Sequence, residues 1–348
     1  MKLRLFLLFT LFLPLFFLAC ETDFDITSDY QDITVVYGLI SQNDSVHYLK
    51  INKAFLGKGN ALVFAKEEDS MSYHNDLEVK IEELKGEVVT NTFYFDTTTI
   101  TNKEQGIFYY PEQRVYSAYY EIPSDYSSKT YRLQITNTKT GKVITANTAL
   151  IYDFSFSTPR PGQPVMNFTS EYAQKIEWKS AKNGKRYDVT LRFWFDELLK
   201  GNPDTLARYV DWALGTEKSR GISGGQSMEL QYKPEGFFNM VNTKIPYKAG
   251  NELSEDQVLA RLVNRAEVIF DVSGDDLNTY MEVNEPSSGI VQDKPEFTNI
   301  NNGIGLFSSR FSINTRDFNR PGKVMTIGVP TEQRLMAGEL KFIKKPGN

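Results

Sequence analysis

Few of the side chains that perform most enzyme and metal chemistry occur in this chain: one cysteine, Cys20, and two histidines, His47 and His74, among 348 residues. Transition-metal centres are assembled from clusters of Cys and His, so this supply speaks against one. Gly221-Ile222-Ser223-Gly224-Gly225 satisfies G-x-S-x-G. In a nucleophile elbow that serine sits on a strand-to-helix turn and is deprotonated by a histidine further along the chain. Both histidines lie upstream of Ser223, and no S-x-x-K pair offers a lysine instead, so the segment reads as a flexible glycine loop. Asp271, Ser273 and Asp275 take positions one, three and five of a twelve-residue span closing on Glu282, the ligand spacing of a calcium loop. Glycine stands at position four, Gly274, where the sharp turn wants it at six. The preferred reading is a turn from strand into helix with Asp275 as N-cap.

Tyrosines are the other candidates. Tyr109, Tyr110, Tyr116, Tyr119 and Tyr120 fall within "FYYPEQRVYSAYY". On an exposed strand such rings stack on sugars or anchor a protein partner. Half-buried strand tyrosines with wetted hydroxyls are the structural alternative, and the preferred one; among the functional readings a protein interface ranks ahead of a glycan. Carboxylates are plentiful, but the two acids of a glycosidase lie anywhere in a chain and no pair stands out. Glu67-Glu68-Asp69 reads as a solvated loop. No cofactor is expected.

Cys20 calls for a different chemistry. It follows Lys2, Arg4 and an apolar run from Leu5 to Ala19 broken only by Thr10 and Pro14. That run is shorter than the roughly 20 residues a membrane span requires, and reads as a secretory signal. Phe17-Leu18-Ala19-Cys20 resembles the lipobox of bacterial lipoproteins, which are cleaved before a cysteine that receives acyl chains; Phe17 departs from the usual aliphatic residue. Several acyl chains, at roughly 0.8 kcal/mol per buried methylene, anchor a protein permanently. An ordinary signal peptide with an incidental cysteine is the alternative. After the cysteine come Glu21, Thr22, Asp23, Phe24 and Asp25. Such an acidic tether resembles the surface-export signal of some Gram-negative lipoproteins, and a solvated spacer explains it equally well.

Loss of Lys2 and Arg4 with the signal takes the formal charge from −5 to −7, and no stripe of Lys and Arg marks a nucleic-acid surface. Hydrophobic residues at 41% and aromatics at 13% argue against wholesale disorder. From residue 30 onward the dominant period is two. Strands are expected at 34–40, 46–51, 77–84, 88–95, 115–122, 130–136 and 143–150, which describes a small β-sandwich. Thr158 to Pro164 reads as a linker. Beyond it "KIEWK", a loop with Asn183-Gly184, and "RYDVTLRFWF" read as a hairpin. A strand with Trp178, a turn, and a strand opening on Tyr187 resembles fibronectin-type or immunoglobulin-like sandwiches. Residues 206–214 fit helix and strand equally well. Ser254 to Leu262 reads as a short helix capped by Ser254, "AEVIFDV" as a buried strand, and Asp275 to Val283 as a second short helix.

Asn299, Ile300, Gly303, Gly305 and Phe307 form an Asn-Ile-x-x-Gly-x-Gly-x-Phe segment; "VYGLI" and "HYLKINKAFLGKGNA" lie near the start. With these the chain resembles a family of unknown function among Gram-negative outer-membrane and surface lipoproteins, often encoded beside TonB-dependent receptors. The resemblance implies an accessory role in uptake or assembly and transfers no active site. Physically, Gly303 and Gly305 permit a tight turn or a close backbone approach beside Phe307.

The expected organisation is therefore a mainly β protein of two β-sandwich domains. A signal peptide spans residues 1–19, a lipidated tether 20–30, an N-terminal sandwich 31–151, and a sandwich-like domain with helical insertions 152–348. The expected function is a non-catalytic outer-membrane lipoprotein, not an enzyme, that binds a TonB-dependent receptor or its cargo from the cell surface. A surface glycan-binding module or adhesin is the alternative.

Overall fold

Strict alternation of apolar and polar residues dictates strands, and nowhere more plainly than in Arg186–Leu199, where Tyr187, Val189, Leu191, Phe193 and Phe195 are all buried. The computed structural model describes residues 31–56, 66–67, 71–101, 104, 106, 109–160, 165–202, 204–245, 257–285, 296–315 and 325–344. The signal peptide, Cys20, the acidic tether, Glu68-Asp69 and most of the Pro-rich linker lie outside these. Strands hold 53% of the described residues and helices 13%, which makes the described chain mainly β.

Seven strands form the first half: β1 (Gln31–Ile40), β2 (Val46–Leu56), β3 (Leu77–Lys85), β4 (Val88–Ile100), β5 (Gln113–Tyr119), β6 (Thr130–Asn137) and β7 (Val143–Thr148). β4 is long enough to serve two layers. Its first part pairs with β3 and its last residues, Asp96 to Ile100, with β5, so the sheet folds over along it. The buried faces of the two layers, with Val36, Leu49, Ile81, Phe93, Leu133 and Ile144, meet in one core.

The second half contributes β8 (Phe156–Thr158), β9 (Val165–Met166), β10 (Gln174–Lys179), β11 (Arg186–Leu199), β12 (Thr205–Lys218), β13 (Ser227–Tyr232), α1 (Glu235–Lys244), β14 (Val258–Ser273), α2 (Asp275–Asn284), β15 (Ile304–Asn314), β16 (Thr326–Ile327), α3 (Val329–Met336) and β17 (Phe342–Ile343). A three-stranded sheet, β13-β10-β8, faces the long β12-β11-β14 sheet across a second core. That arrangement is the sandwich expected, with short helices added to it.

Two local expectations are corrected and one open reading is settled. β10 and β11 are not a hairpin: β10 pairs with β13 and β8, β11 with β12 and β14. The chain crosses between layers at Asn183, whose φ is 65°, and side chains rather than backbones meet across the gap. The Trp178 and Tyr187 rings lie 5.6 Å apart, and the Tyr187 hydroxyl accepts the Ala181 N–H at 2.7 Å. The helix expected to end at Leu262 is instead the start of β14, because Val258, Ala260 and Leu262 fall in register with β11 and are buried there; Ser254 lies outside the described residues. Residues 206–214, open between helix and strand, are strand β12.

One strand joins the two cores. The first part of β15, Ile304 to Ser309, runs parallel to Val35–Ile40 of β1, while Arg310 to Asn314 runs antiparallel to Ile269–Ser273 of β14. Ile300 and Phe307 thereby enter the first core, and Phe311 and Ile313 the second. Gly305, at φ +115°, lies so close to β1 that a Cβ there would stand 2.0 Å from the Val36 carbonyl oxygen. Just before it, Asn301 exchanges backbone hydrogen bonds with Thr145 of β7 (2.8 and 3.3 Å), so the far edge of the first half's rolled sheet meets the run into β15.

Candidate functional site

The five tyrosines named as a candidate partner- or glycan-binding group are divided by strand geometry. Tyr116, opposite Leu49 on the inner side of β5, is 3% exposed, and burial pushes its hydroxyl up to about 12. Tyr120 lies flat against Phe93, with ring centroids 4.1 Å apart, and donates to Glu83 Oε2 at 3.0 Å. These two are structural. Tyr119 turns outward, is 73% exposed, and donates to Glu121 Oε1 at 2.9 Å. Tyr110 is exposed and Tyr109 half-buried, before the start of β5.

Tyr119 keeps other company. It stands opposite Val46 of β2, on the face of the β1-β2-β5 sheet turned away from the core. Tyr48, 53% exposed, pairs with Ser117 on that face; Tyr37, 39% exposed, pairs with Lys50. Period two in β2 could have found them, because Val46, Tyr48 and Lys50 alternate with the buried His47, Leu49 and Ile51. Tyr37 is held from the side by α2: its ring meets that of Tyr280 edge-on at 6.0 Å, with the hydroxyls 3.3 Å apart. The hydrogen bond from Tyr280, with partial burial, pushes Tyr37 up to about 12. Three outward tyrosines on neighbouring strands, one of them immobilised, can stack on a ligand's rings or anchor a partner protein.

Where Tyr37 and Lys50 meet, this face opens into a cavity of about 380 Å³. Tyr109 contributes to its wall, with Lys53, Glu112 and Arg114 among the other lining groups. Lys53 Nζ lies 4.9 Å from the centre of the Tyr73 ring, whose hydroxyl is bonded to Thr34 Oγ1 at 2.8 Å.

A second polar group, unforeseen in the sequence, lies at Glu83 in β3, 2% exposed. Lys129 Nζ (2.8 Å) and Thr90 Oγ1 (2.8 Å) reach its Oε1, and the Tyr120 and Tyr131 hydroxyls (3.0 and 3.4 Å) its Oε2. Burial alone would raise this carboxyl; the hydrogen bonds from Lys129, Thr90 and Tyr120 outweigh it and hold the group below its usual range. Four donors satisfy the charge and fasten the ends of β3, β4 and β6 together, which is a structural task.

Ser223 lies in the loop between β12 and β13, a strand-to-strand connection, so the elbow geometry is not formed. Asp271 to Glu282 is no loop either. Asp271 and Ser273 belong to β14, Gly274 is the N-cap in place of Asp275, and Glu282 on α2 pairs with Lys218 at 2.8 Å. Among the described residues no group of three or more His, Cys, Asp or Glu is disposed to hold a metal ion.

No family model matches the chain, and no curated protein matches it. Among solved structures the chain is similar to a crystal structure of the N-terminal four Ig domains of Dscam1 isoform 4.44, at 10% identity and a TM-score of 0.15, over 71% of this chain and 50% of that one. The chain thus spans about half the length of that solved chain.

Proposed function

We propose that this chain is a non-catalytic binding protein, acylated at Cys20 and held at the cell surface of the outer membrane, that grips a TonB-dependent receptor or its cargo. The observation that carries the reading is the row of outward tyrosines, Tyr37, Tyr48 and Tyr119, on one sheet face beside Val46. Tyrosines so placed contribute nothing to the core and are the residue type that concentrates binding energy at interfaces. The lipobox-like run into Cys20 and the family resemblance support the location and the kind of partner.

The test is a photo-crosslinking residue substituted for Tyr48 in intact cells. Adducts with a β-barrel receptor that vanish when Tyr119 is replaced by alanine, together with palmitate labelling that vanishes in Cys20→Ser, are the expected outcome. Recovery of the uncrosslinked chain alone, or an unlabelled protein, overturns the reading.

A glycan-binding surface protein is the second reading. The cavity beside Tyr37 and Tyr109 favours it, being of a volume that suits a small ligand.

A further inference from the structure

We propose that the cavity between Tyr37 and Tyr109 is a binding site for an acidic sugar, a hexose ring carrying a carboxylate. This deepens the glycan reading and is independent of the receptor reading. The argument begins with charge. The chain as a whole has a formal net charge of −5, yet among the described residues that line this cavity Lys50, Lys53 and Arg114 stand with one acid, Glu112. Cations concentrated in a concave, partly apolar space attract an anion more strongly than the same cations spread over an open surface.

The walls specify the rest of the ligand. Tyr37 and Tyr109 supply aromatic surface, and the Tyr37 ring is fixed in place by its edge-on contact and hydroxyl pairing with Tyr280. A ring already immobilised loses little freedom when a sugar face packs on it. Asn52 also lines the cavity, with its amide orientation set by the bond from Nδ2 to the Met71 carbonyl at 3.1 Å, as does Gln113. Amides of this kind exchange hydrogen bonds with ring hydroxyls. The volume, about 380 Å³, lies at the lower end of small-molecule sites and suits one or two sugar rings. Charge, ring surface and amides occur in one place, and a uronic-type sugar uses all three.

The test is calorimetric titration of the full mature protein in detergent with glucuronate, glucose and acetate in parallel. Saturable binding of glucuronate at least about tenfold tighter than either control is expected, weakening with salt. Lys50→Ala, an exposed strand position whose loss leaves the core intact, weakens it about tenfold, the effect of one charge-assisted hydrogen bond. Equal binding of glucose and glucuronate overturns the acidic class and leaves the glycan reading standing. Binding by acetate as tight as by glucuronate overturns the sugar. No saturable binding of any of the three overturns both, while the crosslinking outcome at Tyr48 stays unaffected.

Discussion

Asn299 and Phe307 are joined twice, eight residues apart: the Asn299 side-chain oxygen accepts the Phe307 N–H at 2.9 Å, and its Nδ2 donates to the Phe307 carbonyl at 2.7 Å. That amide stands in for a neighbouring strand at Phe307, within the stretch of β15 that pairs with β1, and it holds the Phe307 ring in the first core. Asn299→Ala is expected to destabilise the protein by about 1–3 kcal/mol, since it leaves two backbone groups unpaired. Phe307→Ala, which opens a cavity, costs about 3–5 kcal/mol. Denaturant unfolding followed by tyrosine and tryptophan fluorescence measures both.

Gly305 lets β15 lie against β1. Gly305→Ala demands a positive φ from an L side chain and drives its Cβ into the Val36 carbonyl. The strain alone is about 1–3 kcal/mol, and the clash adds to it. Because β15 is the strand shared between the cores, the variant is expected to become sensitive to limited proteolysis between Ile304 and Ser309 while the β11-β14 pairing stays protected in hydrogen exchange.

Tyr116 and Tyr119 are three residues apart and separate stability from binding. Tyr116→Ala is expected to cost about 3–5 kcal/mol. Tyr119→Ala leaves the unfolding midpoint unchanged and abolishes the crosslink from position 48. A loss of ligand retention in Tyr116→Ala therefore reports folding; the same loss in Tyr119→Ala reports the surface.

Glu83 supplies a test in acid. Its carboxyl is held below the usual value of 4.5, so its contribution to stability is complete above that pH and is lost as the pH falls through the lower, folded value. Glu83→Gln removes this acid dependence. Lys129→Ala strands the carboxylate among its remaining neighbours and is expected to cost about 3–5 kcal/mol near neutral pH.

His47 acts in a different window. It is 1% exposed, its Nε2 donates to the Tyr120 carbonyl at 2.9 Å, and Nδ1 is buried with no partner among the described residues. Burial lowers its pKa from the ordinary 6.5, against the pull of the Tyr120 carbonyl and Asp44. Between the lowered value and 6.5 only the unfolded chain takes up the proton, so stability falls as the pH drops through that interval and is flat above it. Urea midpoints measured across the interval are expected to slope for the native chain and to lose that slope in His47→Gln.

What the sequence determined by itself was local and periodic. Period two in "VHYLKI" and "RYDVTLRFWF" set which side of β2 and β11 is buried, and the turn residues Ser41 to Ser45 set a true hairpin, because both features depend only on neighbours in the chain. The Asn-Ile-x-x-Gly-x-Gly-x-Phe segment advertised a close approach at its glycines without saying to what. The tertiary structure alone decided that the approach is to β1, that β10 and β11 lie in different sheets, and that Tyr116 and Tyr119 part company while Tyr37, Tyr48 and Tyr119 come together. Sheet pairing joins residues hundreds of positions apart, as Val36 joins Gly305, and no local spacing records which strand a given edge will meet.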